Sequence, residues 1–182
     1  MISYEFESAF EKTVGLEGGY TNNPNDLGGP TNYGITQIVA KKHGYTGDMK
    51  DLPLATAKII YQLDYWNPLR LDDVSVISKE LSIELFDTGV NQGVVVAGKH
   101  LQRSLNVLNR QAKDYIDLVM DGNIGPKTID ALRKYYGLRG KNGVTVLYRM
   151  LNCLQGARYV EIAEAREANE EFMFGWFLNR IN

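Results

Sequence analysis

Three residues of this 182-residue chain stand out for the chemistry their types and spacing allow: Glu17, Asp26 nine positions later, and Thr31 five beyond that. At 100° per residue, a helix carrying Phe6, Phe10 and Val14 on one side would bring Glu17 to within about 20° of Phe6, on the apolar side. Gly18 and Gly19 follow, so Glu17 would also meet the negative end of the helix dipole. Both effects oppose ionisation. A carboxyl group that keeps its proton near neutral pH can donate it to the leaving oxygen of a glycosidic bond. Asp26 and Thr31 lie among glycines and prolines able to hold a tight path, where a carboxylate and a hydroxyl facing Glu17 could bind and activate water. A retaining enzyme needs its two carboxyl groups about 5 to 5.5 Å apart and an inverting one roughly 6.5 to 9.5 Å, and sequence spacing leaves both open. A plainer reading has Glu17 accepting hydrogen bonds from loop amides and Asp26 serving as a turn residue before Gly28-Gly29.

Tyr20, Tyr33 and Trp66 are candidate platforms for the apolar faces of sugars, against the ordinary alternative that aromatic side chains fill core or rim. Asp87 and Asn91 stand one helical turn apart before Gln92-Gly93, placed either to line a cleft or to close a buried helix end. His43 and His100 have no sequence neighbours that suggest catalysis, and Cys153 reads as a small apolar residue within its helix. No cluster of thiol and imidazole ligands is available for zinc, and no cofactor or metal is expected.

The elements that must position these residues are helical. Ser3 caps a first helix with Glu5 and Glu7 in its opening turn. Residues 20–34, rich in Asn, Gly, Pro and Asp, form an ordered loop or short hairpin. Helical patterning resumes from 36 to 44, from 54 to 66, from 78 to 90 and, after Asn91-Gln92-Gly93, from 94 to 108. Pro126 opens a further helix that Gly137 should end. A long one follows over 144–168, and an aromatic one over 172–181. No segment alternates with period two, so the fold expected is mainly α, a helical bundle with at most a small hairpin or irregular loop near residues 20–34.

Acidic and basic residues number 22 and 20, for a net charge of −2, and no basic stripe follows a phosphate backbone. Nucleic acid is not an expected partner. One cysteine closes no internal disulfide. No apolar stretch has membrane-spanning length, and the first residues lack the pattern of a secretory signal. The expectation is a monomer made in the cytoplasm; a wall substrate would be reached only after release by another factor.

The run from Val14 to Tyr20, Val-Gly-Leu-Glu-Gly-Gly-Tyr, continues through Asn25-Asp26-Leu27-Gly28-Gly29-Pro30-Thr31-Asn32-Tyr33-Gly34-Ile35-Thr36. It resembles the signature of glycoside hydrolase family 108, which includes phage endolysins and bacterial N-acetylmuramidases. The likeness extends over Tyr65-Trp66, the run from Phe86 to Gly93, Leu101-Gln102, the run from Asp121 to Thr128 and the run from Gly175 to Arg180. The resemblance implies a lysozyme-like fold and cleavage between N-acetylmuramic acid and N-acetylglucosamine, with Glu17 as general acid. The order Glu, Asp, Thr also resembles phage-type lysozymes, with the interval from Asp26 to Thr31 one residue shorter here. Residues 1–92 would then be the catalytic part. Residues 93–182, whose turn at 121–128 resembles that of small peptidoglycan-binding domains, would pack into the same compact unit. Two rivals remain at this stage: a lytic transglycosylase using the same glutamate, and a non-catalytic wall-binding or secretion-assisting protein, since relatives also carry the label of secretion activator.

Overall fold

A computed structural model describes residues 2–15, 19–22 and 29–181. Helix α1, Tyr4–Thr13, starts where Ser3 predicts: the Ser3 hydroxyl accepts from the Phe6 amide at 3.2 Å, with Glu5 and Glu7 in the first turn. It stops earlier than the apolar spacing suggests. Val14 and Gly15 both donate to the Phe10 carbonyl, and Gly15 turns to φ +65°. Glu17, to which that spacing was extrapolated, lies outside the described residues.

A two-residue hairpin follows, β1 Thr31–Asn32 against β2 Ile35–Thr36, in antiparallel register Thr31↔Thr36 and Asn32↔Ile35. Its loop residues Tyr33 and Gly34 have φ of 51° and 73°, the pair of positive values that a type I′ turn requires. Thr36 then caps α2, Gln37–Lys42, and Asn32 donates its amide to the Met49 carbonyl at 2.7 Å, tying the hairpin to the short 3-10 turn Met49–Asp51.

Helix α3, Leu54–Tyr61, runs directly into a π-type turn, Gln62–Trp66, so the segment expected as one helix is one with a widened end. A short helix that the periodicity did not indicate, α4 Leu71–Ser75, begins after Arg70 in a left-handed conformation. Ser78 caps α5, Lys79–Gln92, and Gly93 separates it from α6, Val94–Leu108. Gly137 does not end the next helix. The element α7, Pro126–Ala165, is two helices joined at a kink: the first passes Gly137 and ends at Gly140, whose φ of 54° and ψ of −146° are non-helical and suit a residue without a Cβ, and the second follows. Helix α8, Glu170–Arg180, closes the described chain.

The centre is aromatic. Phe6 of α1, Trp66 and Phe86 of α5 meet edge to face with ring centroids 5.5 to 5.8 Å apart, and Phe10 packs edge-on against Tyr61 at 5.3 Å. Each such fully buried side chain contributes about 1.5 to 3 kcal/mol by leaving water. The core continues through Leu101 and Leu105 of α6 into Ile129, Leu132, Leu147 and Leu151 of α7. Helix α5 packs against α1, α4, α6 and α7. By contrast, α8 buries none of its residues and leaves Phe174 and Leu178 exposed. The turn at 121–125 is pinned by Gln102, which accepts from the Gly122 amide and donates to Asp121 and the Asn123 carbonyl. Among the described residues, no helix is long and apolar enough to cross a membrane.

Candidate active site

The proposed acid Glu17 and its partner Asp26 both lie outside the described residues, and the described chain stands on either side of them. On one side stands the end of α1, with Thr13, Val14 and Gly15. On the other stands the hairpin, where Thr31 and Thr21 exchange two backbone hydrogen bonds of 2.8 Å and the Thr31 hydroxyl donates to the Gly29 carbonyl at 3.3 Å. These bonds clamp the two ends of the loop that carries Asp26 in sequence. Tyr61 connects the sides: its ring packs on Phe10 of α1, and its hydroxyl donates to the Tyr33 carbonyl at 3.0 Å. Gly34 leaves room for that contact, since a Cβ there would come within 2.8 Å of the Tyr61 oxygen.

Thr31, Tyr20 and Tyr33 are thus gathered in one place. Both tyrosines are half-buried against the core edge, and the Lys50 ammonium sits 5.3 Å from the Tyr20 ring centre. Trp66 is not among them. It is 0% exposed, enclosed by Phe6 and Phe86, and its indole nitrogen donates to Asp72 at 2.9 Å. With no free face it serves the core, correcting the expectation of a sugar platform. Asn91 turns its amide back onto the Asp87 carbonyl one turn earlier, at 2.8 Å, inside the last turn of α5. Cys153 lies within a helix, α7, as its reading had it, and is exposed there.

A polar pocket of about 100 Å³ opens beside the end of α1, lined by Lys12, Thr13, Glu84, Asp87, Tyr148 and Arg180, among others. Glu84 is 4% exposed, and its Oε1 has no hydrogen-bond partner among the described residues, nor has the Thr13 hydroxyl. Burial first, and then the neighbouring Asp87 carboxylate, push the Glu84 acid up to about 8, against a smaller opposing pull from Asn152 and Lys12. The group is neutral at pH 7. Asp87 itself is well served: Gln155 of α7 donates to Oδ2 at 2.7 Å and Arg180 of α8 to Oδ1 at 2.6 Å. Sequence reading missed Glu84, whose one signal was its place three residues after Leu81, on the side of α5 that Leu81, Leu85 and Thr88 also bury.

The remaining titratable groups are accounted for locally. His43 meets Asp64 at 2.9 Å, a partner 21 positions away that no local pattern announced. Burial and then Arg103 drive His100 down to about 4, so it is neutral at physiological pH. Among the described residues, no three metal-ligating side chains come together.

Comparison with known proteins aligns with this layout. Residues 10–93 match the family description "Glycosyl hydrolase 108", and residues 96–181 match "Predicted Peptidoglycan domain". Among solved structures, that of Brucella abortus SagA is similar, with a TM-score of 0.64 and 26% identity over 94% of this chain and 86% of that one. No curated protein sequence is a match. The chain thus matches glycosyl hydrolase 108 over residues 10–93 and a predicted peptidoglycan domain over residues 96–181, and together the two matches support a peptidoglycan hydrolase at the level of family.

Proposed function

We propose that the protein is an N-acetylmuramidase: it hydrolyses the bond between N-acetylmuramic acid and N-acetylglucosamine, with Glu17 as general acid. Asp26, aided by Thr31, steadies the oxocarbenium-like transition state or activates the water. Residues 1–92 form the catalytic part in this reading, and residues 93–182 the helical part that engages the wall. No cofactor enters. The observation that carries the proposal is the match of residues 10–93 to a glycoside hydrolase family, which brackets the Glu-Gly-Gly-Tyr run at 17–20.

The frame supports it chemically. The loop bearing Asp26 begins and ends at the Thr21–Thr31 pair, and Tyr61 holds the hairpin to the helix that leads to Glu17. Holding two reacting groups in register is where much of an enzyme's advantage over free solution resides, and these bonds fix the described residues on either side of the Asp26 segment. Tyr20 and Tyr33, half-buried beside the same loop, are the aromatic surfaces suited to a sugar ring.

Glu17→Gln preserves shape and removes the exchangeable acid. Acting on purified sacculi, this variant should lose about 10² to 10⁴ in rate while remaining folded. Wild-type clearance by the folded variant would refute the role of Glu17. Mass spectrometry of the products tests the reaction class: reducing muramic ends are expected, whereas anhydro-muramic ends would mean a transglycosylase. Retention on sacculi without released fragments would mean a binding protein.

A further inference from the structure

A groove of about 650 Å³ lies between the segment at 115–121 and the first turns of α7, lined wholly by residues between 102 and 134. Its size suits a short oligomer. One wall is main chain. Asn106 of α6 takes both backbone groups of Leu118, accepting from its amide at 2.7 Å and donating to its carbonyl at 2.8 Å. Two groups of one residue bound on one side is the geometry of an extended chain, in which the neighbouring residues turn theirs to the other side. The main-chain amides and carbonyls of Asp117 and Val119 make no hydrogen bond among the described residues. Ile116 and Val119 beside them are exposed.

The other wall is the start of α7, which has no side-chain cap and no acid in its first turn. It carries Lys127 there instead, a cation where the helix dipole favours an anion. Lys127 forms no ion pair among the described residues, whereas Lys134 meets Asp130 at 2.9 Å. Thr128 lines the groove at 3% exposure, and its hydroxyl has no hydrogen-bond partner among the described residues. A carboxylate would satisfy all three features at once. A sugar would not be served as well: the one aromatic side chain among the lining residues is Tyr115, buried with its hydroxyl donated to the Leu105 carbonyl, so no ring face is offered.

We infer that this groove binds the peptide stem of peptidoglycan, a short peptide bearing free carboxylates and an amino side chain. A stem carboxylate meets Lys127 and the Thr128 hydroxyl at the start of α7. Its peptide bonds pair with the open main-chain groups of Asp117 and Val119, and its alanine methyls lie on Ile116 and Val119. Asp121, which lines the same groove, receives the amine; hydrogen bonds from Gln102 and then from the Asn123 amide hold its carboxyl below the usual range and therefore charged. The inference rests on the wall-engaging reading of residues 93–182 and narrows it from the whole polymer to its peptide.

Amide NMR on the intact chain tests it with two soluble probes. One is the free stem tetrapeptide, alanine, γ-linked D-glutamate, a diamino acid and D-alanine, made with either lysine or diaminopimelate; the other is a chito-oligosaccharide. The tetrapeptide should shift the amides of 116–121 and 127–131 and leave those of α5 in place. Lys127→Glu, at an exposed position, should weaken its binding at least about tenfold, as loss of a charge-assisted hydrogen bond does. Val119→Pro removes an amide without an internal partner, and Thr128→Val removes only the hydroxyl; each should weaken binding about three- to tenfold with an unchanged circular dichroism spectrum. No shift with either tetrapeptide, shifts confined to other segments, groove shifts with the oligosaccharide instead, or full affinity in folded Lys127→Glu and Val119→Pro would each overturn the site. Neither probe needs to be cleaved. A chain that binds the peptide but releases no fragments from sacculi would refute only the hydrolase, and one that releases fragments with a silent groove would refute only this site.

Discussion

The two sides of α5 obey different physics. On one, Leu85 and Phe86 enter the apolar centre, where Phe86 touches the rings of Phe6, Tyr61 and Trp66. On the other, the spacing of 84, 87 and 91 lines up Glu84, Asp87 and Asn91 along a polar seam shared with α7 and α8. The apolar side stabilises without direction and is insensitive to pH. The polar side gains little net energy from burial, because desolvating charges nearly cancels their attraction, but it specifies which helices meet.

The largest way to break this contrast is to remove apolar volume. Phe86→Ala should cost about 3 to 5 kcal/mol in denaturant unfolding and should do so equally at acid and alkaline pH. Glu84→Gln tests the other side with the opposite sign. The native acid ionises near 8 and the unfolded one near 4.5, so the folded state binds the extra proton between those values. Wild-type stability is therefore full below about pH 4.5 and declines as pH rises to about 8. The variant, lacking this decline, should gain on the order of 2 to 4 kcal/mol at pH 8 and almost nothing at pH 4, read from melts across pH. A smaller effect belongs to Tyr61, whose ring lies in the apolar cluster and whose hydroxyl is bonded. Tyr61→Phe should cost about 1 kcal/mol, since only the hydrogen bond to Tyr33 is lost. Gly34→Ala should cost about 1 to 2 kcal/mol from its positive φ and the close Tyr61 oxygen, and part of that should vanish in the Tyr61→Phe background.

Much of the secondary structure was legible because its causes are local. Ser3, Thr36 and Ser78 each cap the helix that follows, and Gly93 separates α5 from α6. The break between the two helices expected near Gly137 falls three residues later, at Gly140, because a glycine within a helix costs only about 1 kcal/mol and Gly137 stays helical. The short α4 escaped notice because five residues offer no full period, and α1 ended early at a glycine that apolar spacing alone does not weigh. At the candidate site, the run around Glu17 and the turn chemistry at 31–36 were readable. The burial of Trp66 was not, because an exposed platform and a core filler have the same side chain.

By itself the amino-acid sequence determined the mainly helical class, the helix starts and the family signature, since caps, turns and apolar period act between residues a few positions apart. Tertiary structure alone decided that Trp66 faces inward, that Glu84 keeps its proton at neutral pH and that Asp87 answers Arg180, 93 positions away. Desolvation and ion pairing depend on what other elements bring alongside a group, and no local pattern contains that information.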